Sequence, residues 1–261
     1  RDVYIWTPPG YDSAGEARYP VIYMHDGQHL FEPGAGVTGD EWMVDETMAR
    51  LMAEDVITPA IVVGLGNTSE RWQDYAPAAF IDNLPADQRQ AIVSEAGGTP
   101  KSDAYLSFIV DEVKPMVDRT FRTRPNRNNT FVSGSSMGGL ISLYAISEHP
   151  DVFGAAAALS THWPLYNPET ADTNAILAAV TAALEDGGLD PNVHRLWMDH
   201  GTENLDSYYA PYQQAMDSYF AGKGFGDGTY ESQIYPGSDH NESSWATNLE
   251  DPLTFLLAAS E

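Results

Sequence analysis

A serine set between two glycines, Gly134-Ser135-Ser136-Met137-Gly138, offers a nucleophile, and the chain carries a base and acids for it further on. Serine attacks poorly at neutral pH, so it needs an imidazole within hydrogen-bond reach and a carboxylate to orient that ring. His162, His194, His200 and His240 follow Ser136 on loop-like stretches. Only His240 lies after the last predicted strand and before the last predicted helix, where a loop can swing the ring back over the serine. The acid is expected between the strand Leu196-Trp197-Met198 and the helix after it, which admits Asp206 first, then Glu203, then Asp199. Asp206 stands where it could also cap that helix, and Asp199 could instead tie down loop backbone.

Such chemistry develops negative charge on a carbonyl oxygen, which two backbone N–H groups must meet. Met137, directly after the nucleophile, supplies one. The loop His25-Asp26-Gly27-Gln28 supplies the other, from Gly27 or alternatively Gln28. Aromatic and polar side chains near the same segments, Trp163, His162, Trp72 and Tyr166, are the expected substrate-binding residues. Trp42 and Trp245, on predicted helices, are expected to fill the core.

The elements that must hold these residues alternate. The run Thr130-Phe131-Val132 before the serine reads as a strand, and Leu140, Ile141, Leu143, Tyr144 and Ile146 after it keep helical spacing. Between them the chain must turn sharply, and side chains two positions either side of Ser136 would collide, which suits Gly134 and Gly138. Further strands are read at Val3–Trp6, Tyr19–Met24, Pro59–Gly66, Ala155–Leu159, Leu196–Asp199 and Tyr230–Tyr235, several without polar alternation, as in a sheet covered on both faces. Helices are read at 41–54, 101–121 with a kink at Pro115, 173–185, 208–220 and after His240. This rhythm predicts an α/β fold with a mostly parallel central sheet and helices on both faces, its active residues collected beyond the strands' carboxyl ends. Residues 71–100 read as an irregular lid or pocket wall within a single domain, 1–261.

Composition narrows the partners. A formal charge of −25, from 38 acids against 13 bases, repels phosphate backbones and anionic lipid, so neither nucleic acid nor membrane is expected. No apolar run approaches the length of a membrane span. The absence of cysteine excludes disulfides and thiolate chemistry. His25 and His29 imitate a zinc-binding pair, but Gly27 and the preceding strand argue against the helix that would bring both rings to one face, so no metal is expected. Gly64-Leu65-Gly66 lacks the third glycine of a dinucleotide loop, so no cofactor is expected either.

Taken together, four segments resemble the esterase D-like family of α/β-hydrolases, which includes feruloyl, acetylxylan and siderophore esterases. They are Arg1 to Asp12, Pro20 to Phe31, the Gly134-Ser135-Ser136-Met137-Gly138-Gly139 turn and Gly237-Ser238-Asp239-His240-Asn241-Glu242. The resemblance implies an α/β-hydrolase fold and a serine carboxylic ester hydrolase acting through an acyl-enzyme on a small, carbohydrate-linked or aromatic-acid ester. Alternatives are an acyltransferase with the same triad, or an inactive binding module on that fold. Many relatives carry an aspartate where this chain has Asn204, so the acid is expected to have moved to Asp206 or Glu203.

Overall fold

The computed structural model describes residues 1–11, 15–34 and 39–259, so Asp12 of the opening motif lies outside them. Seven strands form one sheet: β1 (Val3–Trp6), β2 (Val21–His25), β3 (Ile61–Leu65), β4 (Thr130–Ser135), β5 (Ala155–Leu159), β6 (Arg195–Gly201) and β7 (Tyr230–Tyr235). Their order is β1-β3-β2-β4-β5-β6-β7. β1 pairs antiparallel with β3, and the other pairs are parallel.

Side chains of successive strand residues point to opposite faces, and both faces are covered. On one, Val21, Tyr23, Val63, Val132 and Met198 join a core with Leu140, Leu143, Val180 and Phe220 from helices. On the other, Ile22, Met24, Val62, Leu159 and Trp197 pack against Met48, Leu51, Leu253 and Leu256. The continuous apolar runs in β2 to β5 follow from this double burial.

The helices are α1 (Val44–Ala53), α2 (Arg71–Tyr75), α3 (Ala78–Asp82), α4 (Ala86–Glu95), α5 (Ser102–Ser107), α6 (Lys114–Thr120), α7 (Met137–Glu148), α8 (Thr173–Asp186), α9 (Ala210–Gly222), α10 (Glu242–Asn248) and α11 (Glu250–Leu257). The sequence left 71–100 irregular, whereas the structure folds it into α2, α3 and α4. Pro77 and Pro85 precede α3 and α4 as their N-caps, where a fixed φ and a missing N–H cost nothing, so they start helices rather than break them. α4 buries no residue and therefore shows no apolar stripe. The expected helix 101–121 is divided too. A π-helical turn, Phe108–Val113, separates α5 from α6, and Pro115 falls in the first turn of α6.

Candidate active site

β4 runs into α7 through Ser136, whose backbone has φ 60° and ψ −123°, a conformation costing a non-glycine residue about 1–3 kcal/mol. Surrounding bonds hold it there. Ser136 N–H donates to the Leu159 carbonyl at 2.9 Å, and the Ser136 carbonyl accepts from Gly139 N at 3.0 Å and His162 N at 3.1 Å. A Cβ on Gly134 would lie 3.0 Å from the Gly138 backbone and 3.0 Å from the His25 ring. Gly138 itself is less crowded, at 3.4 Å from His25 Cβ, so the tight member of the pair is Gly134.

His240 lies on the loop between β7 and α10 and lines the same cavity as Ser136. Its Nδ1 lies 2.5 Å from Asp206 Oδ1. Asp206, fully buried, sits in a short 3₁₀ turn, Asn204–Tyr208, beyond the end of β6. Its Oδ2 accepts from Gly201 N–H at 2.6 Å and from the Ser160 hydroxyl at 2.8 Å. Three donors thus converge on one carboxylate, and together they fix its plane. The His240 ring stands edge-on to Tyr209 and Trp245, with centroids 5.7 and 5.1 Å away. With Nδ1 turned to Asp206, Nε2 is the nitrogen left to exchange protons.

The other two acids do different work. Glu203 is exposed, and its carbonyl accepts the Asp206 N–H at 3.1 Å. Asp199 is buried, accepting from Trp197 Nε1 at 2.8 Å and Ser160 N–H at 3.0 Å. Neither touches His240. Asn204, with φ 47°, donates from Nδ2 to Asp239 Oδ2 at 2.7 Å and so braces the histidine loop.

Ser136 and His240 line one cavity of about 250 Å³ together with Asp26, His29, Trp42, Asn67, Arg71, Glu242 and Trp245. At one wall Asp26, in left-handed backbone at φ 57°, receives Arg71 Nε and Nη2, each at 2.7 Å, and Asn67 Nδ2 at 2.6 Å. Burial pushes the Asp26 carboxyl up, but the Arg71 guanidinium and these hydrogen bonds overcome it and hold it below its ordinary value. Opposite stand Trp42 and Trp245, their rings 5.4 Å apart, with His29 Nδ1 3.5 Å from Glu242 Oε1.

The aromatic and polar side chains expected at the substrate do not line this cavity. His162 offers the turn only its backbone; its ring bridges the Tyr209 hydroxyl at 2.8 Å and the Tyr166 carbonyl at 2.6 Å, and burial lowers its pKa to about 4. Trp163 is core, bonded to Gln213 at 3.3 Å. Trp72 donates to the Leu165 carbonyl and meets Tyr166 edge-on, and Tyr166 bonds to the Glu95 carbonyl. None of the four is among the cavity's lining residues. Trp42 and Trp245 are both core and wall, because the cavity is cut into the layer they fill. Their expected place on helices signalled burial, although Trp42 in fact precedes α1, and nothing local signalled the opening.

Met137, whose N–H is the first expected oxyanion donor, heads α7, where the first amides lack intrahelical partners. Gly27 and Gln28 begin a 3₁₀ turn, Gly27–His29, at the carboxyl end of β2. A Cβ on Gly27 would lie 2.4 Å from Gly64 C, so its close neighbour is β3 backbone. His25 Nδ1 lies 2.7 Å from the Tyr105 hydroxyl, whereas His29 Nε2 lies 3.1 Å from Gln28 Nε2.

The chain matches the family described as "Putative esterase" over residues 1–256. It is similar to the uncharacterized protein YbbA of Bacillus subtilis (strain 168), 22% identical over 261 residues that cover 97% of this chain and 90% of that protein. Among solved structures it resembles a ferulic acid esterase, with a TM-score of 0.66 and 20% identity, covering 98% of this chain and 91% of the other. It also resembles the enterobactin esterase FES of Shigella flexneri, solved in the presence of 2,3-dihydroxy-N-benzoyl-glycine, with a TM-score of 0.67 and 17% identity over 97% of this chain and 54% of that one.

Proposed function

The chain belongs to this esterase family and is a carboxylic ester hydrolase with the α/β-hydrolase fold, and from that premise we propose that it works through a covalent acyl-serine. His240 Nε2 takes the proton as Ser136 Oγ attacks the ester carbonyl. Asp206 holds the ring's other nitrogen protonated and stabilises the imidazolium that forms. The N–H groups of Met137 and of Gly27 or Gln28 meet the oxyanion. The alcohol leaves with the proton from His240, and water repeats the sequence to release the acid. The observation that carries this reading is the 2.5 Å contact between His240 and Asp206 on the wall of the cavity that Ser136 enters.

For substrate we propose a small ester with a ring on its acyl or alcohol side. Support comes from the paired indoles of Trp42 and Trp245, suited to stack on a ring, and from a cavity of about 250 Å³, which excludes long acyl chains. The resemblance to esterases of ferulic acid and enterobactin points the same way. We read 1–261 as one domain, with α2 contributing Arg71 to the pocket wall.

The test is hydrolysis of short nitrophenyl esters and methyl ferulate by the wild type and Ser136→Ala. The variant is expected to lose on the order of 10⁶ in kcat and to resist a fluorophosphonate that labels the wild type. Undiminished activity of the variant would end the acyl-serine reading, and equal rates on long-chain and ring-bearing esters would end the substrate reading.

A further inference from the structure

Ser160, the residue after β5, touches three parts of the site at once. Its backbone is left-handed, with φ 42°, and it is 2% exposed. Its hydroxyl donates to Asp206 Oδ2 at 2.8 Å and accepts from Trp245 Nε1 at 3.0 Å. Its N–H donates to Asp199 Oδ1 at 3.0 Å. The preceding carbonyl, that of Leu159, accepts the N–H of Ser136.

Resting on the acyl-serine reading above, we propose that Ser160, clamped by Asp199, is the positioning residue that fixes the Asp206 carboxylate against His240. The physical case is directional. A carboxylate turns freely about its Cβ–Cγ bond unless both oxygens are held, and Asp206 Oδ1 can aim at the imidazole only while Oδ2 is anchored. Gly201 N–H and the Ser160 hydroxyl are that anchor. The hydroxyl has one proton, and Trp245 Nε1 occupies its acceptor side, which leaves the proton for Asp206.

Asp199 explains how serine keeps this backbone. A non-glycine residue with positive φ is strained, and a buried N–H without an acceptor would add a desolvation cost to that strain. The Asp199 carboxylate supplies the acceptor, and Trp197 Nε1 at 2.8 Å holds its other oxygen. Its buried position, with Asp206 beyond β6 and Asp251 on α11 nearby, raises its pKa to about 7 despite those bonds, and Tyr235 on β7 also faces it. An acid this poorly solvated, touching no substrate, is accounted for by the backbone it holds.

The experiment measures kcat and KM on a short nitrophenyl ester, per titrated active site, together with the downfield proton resonance of His240 Nδ1–H. Ser160→Ala is expected to lose 10- to 100-fold in kcat with KM within twofold, and to move that resonance upfield. Asp199→Asn, which retains one oxygen for the Ser160 N–H, is expected to lose less than Ser160→Ala and to move the resonance the same way. If Ser160→Ala keeps wild-type kcat and an unmoved resonance while Ser136→Ala is inactive, the positioning role is wrong and the acyl-serine reading stands. If Ser136→Ala remains active, it is the acyl-serine reading that fails. Should Ser160→Ala not fold, Asp199→Asn with an unmoved resonance and unchanged kcat overturns the proposal alone.

Discussion

Asp206 Oδ1 lies 2.5 Å from His240 Nδ1 across 34 residues of chain, while Glu203 and Asp199 on the same loop and strand stay out of the ring's reach. Asp206→Asn is therefore expected to lower kcat by about 10⁴, since an amide facing Nδ1 favours the wrong tautomer. Glu203→Gln should stay within a few-fold of wild type. Steady-state rates on a nitrophenyl ester check both.

Asn204 donates to Asp239, whose other oxygen accepts the His240 N–H at 2.6 Å. Placing the family's aspartate at this position sets two carboxylates against each other in the loop that carries the histidine. Asn204→Asp should reduce kcat several-fold, recover partly at high salt, where exposed charges are screened, and recover further in the double variant with Asp239→Asn. Activity raised by Asn204→Asp would contradict this account.

Arg71→Ala would leave the Asp26 carboxylate, 4% exposed, with Asn67 as its remaining side-chain donor. Breaking a buried pair by removing one partner costs about 3–5 kcal/mol, and the Arg71 side chain, one-third exposed, puts this pair at the low end. Arg71→Lys keeps the charge but not the two-pronged geometry and should cost less. Urea unfolding midpoints separate the variants.

Gly27→Ala forces a methyl to within 2.4 Å of Gly64 C and 2.6 Å of Leu65 N, backbone atoms of β3, which is held between β1 and β2. Neither side can yield locally. A fall of about 3 kcal/mol or more, or loss of folded protein, is expected; a wild-type melting temperature would mean that β2 and β3 are farther apart than described.

Burial lowers the His25 pKa to about 3 and that of His162 to about 4, so both rings are neutral when folded and take protons when unfolded below about 6.5. The unfolded state then binds more protons, and stability is lost as pH falls from 6.5 toward 4. Asp199 acts in the opposite sense. Pushed up to about 7, it keeps its proton in the folded state while the unfolded carboxyl has ionised, so its contribution declines as pH rises from about 4 to 7. Melting temperature should drop between pH 7 and pH 5, and drop more steeply in Asp199→Asn, where the offsetting acid is gone.

The α/β class and the sheet's parallel character were legible because a strand buried on both faces must be apolar throughout, as Val21–Met24 and Ile61–Val63 are. The turn at Ser136 was legible because its sterics involve a few consecutive residues, with Gly134 pressed against Gly138. The segment 71–100 was not, since α4 rests on the core through only the partly buried Ile92 and Val93, too few to make an apolar stripe, and two prolines that normally read as breakers serve as caps.

By itself, then, the sequence determined those features that arise between near neighbours: the strained turn, the strand rhythm, and the set of acids and histidines available to it. Tertiary structure alone decided among the members of each set. Asp206 rather than Asp199 faces His240 because β6 ends with one carboxylate turned toward Ser160 and the next turn brings the other to the imidazole. Trp42 and Trp245, rather than Trp72 and Trp163, wall the cavity because it is cut into the layer on their side of the sheet. Side chains far apart in sequence are aimed by the packing of whole elements, and no local pattern of residues encodes that direction.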